Sequence, residues 1–189
     1  MDWLKCVGEV LNNQSFAAFI GAFAAFILVV MTDRRRERKK VRNIRGEIEL
    51  NLALAHAKLE TVRRNRNAMR EANKVIPAPI LKFNTVLIRQ LSAEVLDRLS
   101  VDQRRAIEAL CYTMKATDGI LDDAYRLARQ LGKPLGHAER ITTAEQLLVE
   151  FGDSIASLKR LVGMCGNYVA GRYAVITSKQ YDQLEYEEP

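Results

Sequence analysis

Cysteine and histidine are scarce, three and two side chains, and where they stand excludes more than their number does. Cys6, Cys111 and Cys165 share no paired spacing, so neither a disulfide framework nor a zinc ribbon is written into the chain. His56 and His137 are far apart and lack the surrounding carboxylates or thiols that a metal site or a nucleophile–base pair needs. No glycine-rich strand-to-helix loop offers a phosphate cradle. These absences lead to the expectation of a non-enzyme: no catalytic residue, no cofactor and no metal.

Proline is also rare, at positions 77, 79, 134 and 189, which leaves long stretches free to be helix. Alternation of apolar and polar residues, the mark of a half-buried strand, is missing over useful lengths. The expected fold class is all-α: a single N-terminal transmembrane helix continuing into a basic stalk helix and a cytosolic antiparallel helical bundle. The expected divisions are a short extracytoplasmic N-terminus over 1–14, the membrane helix over 15–32, the stalk over 33–76, the bundle over 77–180 and an acidic tail over 181–189.

What the chain does have is one uncharged apolar run, FAAFIGAFAAFILVVM over 16–31, closed by Asp33 and the run RRRERKK. Sixteen residues make about 24 Å of helix. With polar flanks and snorkelling arginines that length reads as a single membrane span. Positive charge follows the run instead of preceding it, the pattern of a stop rather than a cleavable signal. By the positive-inside rule the N-terminus then lies outside and the remainder in the cytosol, placing the protein in the cell's inner membrane. Phe16, Phe19, Phe23 and Phe26 fall on one helix side. Ala17, Gly21 and Ala25, at four-residue spacing on the other, form a small face suited to self-association in lipid.

Charge is concentrated as well. Residues 33–75 carry fourteen basic against six acidic side chains, whereas the flanking segments are nearly balanced. Arg34, Arg35, Arg36, Arg38, Lys39, Lys40 and Arg42 form a collar expected to face anionic lipid headgroups. A second cluster, Arg63, Arg64, Arg66, Arg70 and Lys74, lies too far along a straight helix to share that role and suits a partner or the acidic tail. Basic residues confined to one segment make nucleic acid an unfavoured partner.

Further along, apolar positions at steps of three and four predict helices. Val41, Ile44, Ile48, Leu52, Ala55, Leu59, Val62, Met69 and Ile76 make one stripe. Asn84, Ser92 and Ser100 are candidate caps, Ser100 with Gln103 as a capping box. Ile107, Leu110, Cys111, Met114, Leu121, Ala124 and Tyr125 mark a third long helix, whose Asp118, Asp122 and Asp123 read as a solvated face rather than a metal site. Thr142 with Glu145 is the expected start of the last helix. Leu148, Phe151, Ile155, Leu158, Val162, Cys165 and Val169 follow a heptad and predict coiled-coil-like packing.

Together these features point to a membrane-anchored scaffold or adaptor that forms a homo-oligomer and presents its bundle to a protein partner. The alternative is an oligomeric pore-forming or membrane-disrupting effector, on the layout of one-span helical proteins of bacterial antiviral defence. No motif supports that comparison.

Overall fold

The computed structural model describes residues 14–72, 75 and 81–177, with side chains from residue 18 onward. The described residues are all-helical, with no strand among them. α1 runs Gln14–Ala72, α2 Thr85–Glu94, α3 Val101–Leu131, α4 His137–Val169 and α5 Tyr173–Ile176, and a 3-10 turn, Leu96–Arg98, precedes α3. The chain forms two units with the boundary between Lys40 and Val41.

In the first unit α1 is exposed along the apolar stretch described, apart from half-buried Val30: Phe19, Phe23 and Phe26 are 67%, 56% and 65% accessible. The rings of Phe19 and Phe23 stack with centroids 6.4 Å apart. Among the described residues, no helix is long and apolar enough to cross a membrane. Residues 18–32, the uncharged run with described side chains, cover about 22 Å at ~1.5 Å per residue, against a hydrocarbon core of ~30 Å. Asp33 and three arginines then close the run. This corrects the expected fold class: the single-pass transmembrane helix is withdrawn, and with it the inner-membrane localisation and the outside placement of the N-terminus.

The second unit is a helical bundle built on α1 from Val41, α3 and α4. Ile44, Ile48, Ala55, Leu59, Val62 and Met69 of α1 are buried as their spacing predicts, and Asn51 and Asn65 are buried beside them. α2 is capped by Asn84, whose side chain accepts from the amide of Leu87 at 3.3 Å. Ser92 begins no helix; its hydroxyl donates to the carbonyl of Arg89 inside α2. α3 opens on the expected capping box: the Gln103 amide donates to Ser100 Oγ and the Ser100 amide to Gln103 Oε1. α4 starts earlier than expected, at His137 behind Gly136. Thr142 lies inside that helix and donates to the Ala138 carbonyl instead of capping it.

Cross-links between elements fix the arrangement. Lys58 pairs with Asp118 at 2.7 Å and Asn65 bonds to Tyr125, so α1 and α3 run parallel. Thr117 meets Ser157 at 2.7 Å and Tyr125 packs edge-on against Phe151, so α3 and α4 are antiparallel. The expected all-antiparallel bundle is therefore corrected: the α1–α3 connection contains α2 and returns the chain to the end where α1 entered, whereas the short α3–α4 turn forces reversal.

Candidate functional site

Most stretches singled out by sequence have a definite place among the described residues; residues 1–13 of the expected N-terminal segment and Ile76 of the stripe lie outside them. Gly21 and Ala25 are exposed, and a Cβ added at Gly21 would meet nothing within 4 Å; the side chain of Ala17 lies outside the described set. Self-association through this face presupposed lipid, where close packing is what holds helices together. Without a spanning helix among the described residues, the homo-oligomer, the anionic-lipid partner and the pore alternative lose their premise, and so does an anchored adaptor awaiting a protein partner. Arg34, Arg35, Arg36, Arg38, Lys39 and Arg42 are exposed and Lys40 is half-buried.

In the second basic cluster Arg63, Arg64 and Arg70 are exposed. Arg64 approaches Glu60 at 3.5 Å, an ordinary same-face pair. Arg66 is half-buried, with its Nε enclosed and bonded to nothing. Lys74 and the acidic tail lie outside the described residues. The described chain ends at Thr177, after Tyr173 has packed on Tyr168 with ring centroids 5.0 Å apart. That is the far end of the bundle from Arg70.

Of the heptad residues on α4, Phe151, Leu158 and Cys165 are in the core, while Leu148, Ile155, Val162 and Val169 are half-buried and pack against it. The intervening buried positions are Ser154, Leu161, Met164 and Tyr168. Polar Ser154 and Tyr168 hid this seam from a purely apolar pattern. The helix runs through Gly166 to Val169. Gly171, at φ 76°, ends it instead. The Gly171 amide donates to the Tyr168 carbonyl and the Arg172 amide to that of Asn167, a paired closure that needs a left-handed residue between them.

A set of enclosed polar groups ties α1 and α3 to the segment that leads into α2. Lys58 and Asp118 are only 10% and 11% accessible, and Asp118 also accepts the Phe83 amide at 3.0 Å. The Lys58 ammonium lies 3.9 Å from the centroid of the Phe83 ring. Asn51 accepts the amide of Asn84 at 3.0 Å, copying a backbone bond. Asp122 pairs with Lys82 and Asp123 with Arg126, so each of the three aspartates has a cation of its own. Asp122 accordingly holds the Lys82 ammonium above the usual lysine range, by its hydrogen bond and its charge. Among the described residues no group of three or more His, Cys, Asp or Glu could hold a metal.

Both described thiols are enclosed. Burial pushes Cys165 up to about 12. It raises Cys111 as well, although Arg89 pulls the other way. A thiol so protonated is a poor nucleophile.

Among the described residues, one place with room for a ligand is a cleft at one end of the bundle. It has a volume of about 320 Å³ and opens where the end of α1, the end of α3 and the first three turns of α4 meet. Met69, Leu131, Ile141, Ala144 and Leu148 give it apolar walls, and His137, Arg140 and Glu145 stand among them. Sequence reasoning missed it because its residues come from three elements and no two share a motif. The available signal was an apolar pair two turns apart on the opening of α4, Ile141 and Leu148. No protein-family model matches the chain, and comparison with curated proteins and with solved structures found no match.

Proposed function

We propose that this protein acts by holding a ligand rather than transforming one, and that the ligand sits in the cleft between α1, α3 and α4. The observation that carries this reading is the cleft itself. At about 320 Å³ it falls at the lower end of the ~300–1,000 Å³ of small-molecule sites, and it has their mixture of mostly apolar wall and a few polar groups. The absence of chemistry around it supports binding over catalysis. His137 is exposed there, with no nucleophile among the cleft residues, and the described thiols are buried elsewhere.

The test is a titration of the full chain with 1-octanol, followed by methyl NMR. Resonances of Met69, Ile141 and Leu148 are expected to shift together and saturably, and to stop responding in an Ala144→Phe variant that fills the space. Leu148→Phe gives a second way to close it should the first variant fold poorly. No saturable shift at these methyls, or shifts that persist in a folded, filled variant, would refute the reading.

A further inference from the structure

We infer that the ligand of this cleft is a monocarboxylic acid with an aliphatic chain, its carboxylate received by Arg140. The inference rests on the cleft being a ligand site, and it adds the chemical class.

The apolar part follows from the walls. Met69, Leu131, Ile141 and Leu148 make the walls aliphatic, and His137 brings the one ring among the cleft residues. A flexible thioether and branched aliphatic carbons suit a chain that must conform to its surroundings. A volume of about 320 Å³ is that of roughly ten water molecules at ~30 Å³ each, the bulk of a fatty acid of medium length.

The acid follows from one side chain. Arg140 is exposed, and its guanidinium makes no ion pair or side-chain hydrogen bond among the described residues. Glu145 also borders the cleft, yet it stands five residues on, about 140° around the helix at ~100° per residue, and does not neutralise it. Ala144, one turn after Arg140 on the same face, is short enough to leave the guanidinium open to the cleft. A planar fork of donors beside an apolar wall matches the end of a fatty acid, which can be bonded through both oxygens. Glu145 narrows the choice of anion. A dianionic phosphate ester would meet its charge, whereas one negative charge can sit against Arg140 alone.

The experiment compares two probes of one chain length, octanoate and 1-octanol, each titrated into the full chain with the cleft methyls as readout. Octanoate is expected to bind about three- to fivefold more tightly, the advantage of one partly exposed charge-assisted contact. Arg140→Gln should abolish that preference while leaving octanol unchanged, and Glu145→Gln should strengthen octanoate alone. Both variants change exposed side chains and leave the core untouched. Equal affinity for the two probes, a preference that survives Arg140→Gln, or displacement of octanoate by millimolar inorganic phosphate would overturn the assignment of the acid and leave the ligand site standing. Failure of both probes to bind would remove the ligand site itself.

Discussion

Lys58 extends its ammonium from α1 to a carboxylate sixty positions later, and almost no water reaches either group. A pair this enclosed earns little net stability, but breaking it leaves an uncompensated charge, which costs about 3–5 kcal/mol. Lys58→Met should therefore lower the free energy of unfolding by about that amount in urea denaturation. Changing Asp118 to leucine as well should recover part of the loss, because no lone charge remains, although the Phe83 amide then goes unanswered. A double variant as damaging as the two single losses added together would show that the groups do not act as a pair. Nothing local announces this contact. Lys58 looks like any polar position on a helix, and Asp118 reads as one of three solvated acids until a lysine from another element reaches it.

At the scale of elements, the periodic parts were legible and the interruptions were not. The stripe through Ile44, Ile48, Ala55, Val62 and Met69 and the capping box at Ser100 are local patterns, and the structure contains both. The start of α4 misled because Thr142 and Glu145 have the right spacing for a cap, while the actual first turn follows Gly136, which offers no side chain at all. The membrane reading failed on length among the described residues, a matter of a few ångströms that composition does not resolve. The parallel course of α1 and α3 depends on where α2 packs, which no stretch of sequence encodes by itself. The cleft is of the same kind, being a place where three helix ends fail to fill the space between them. The glycine that closes α4 is a case where the element decides the residue. Gly171 holds φ 76°, so Gly171→Ala should cost about 1–2 kcal/mol with no loss of contact. A melting temperature unchanged from the parent would contradict the strain argument.

For the molecule as a whole, enclosed acids set the response to alkali. Burial raises the Cys165 thiol from 9.0 to about 12, and it also raises Cys111, Tyr125 and Tyr168. Below the unfolded pKa both states keep the proton and stability is unaffected. Between 9.0 and about 12 the unfolded thiol releases its proton and the native one retains it, so stability falls as pH rises. Cys165 alone contributes up to ~1.4 kcal/mol per pH unit to that fall. Denaturation series above pH 9 should show the decline, and Cys165→Ala should flatten it; an identical slope in both proteins would mean the thiol is not shielded.

The hydroxyl contact between Thr117 and Ser157 sits in an interface otherwise dominated by hydrocarbon. Greasy surfaces tolerate sliding, because one leucine can replace another. A matched pair of hydroxyls does not, since a displacement by one turn separates Thr117 from Ser157. The α3–α4 hairpin thus carries a registration mark, a contact that the native alignment makes and a slid one loses.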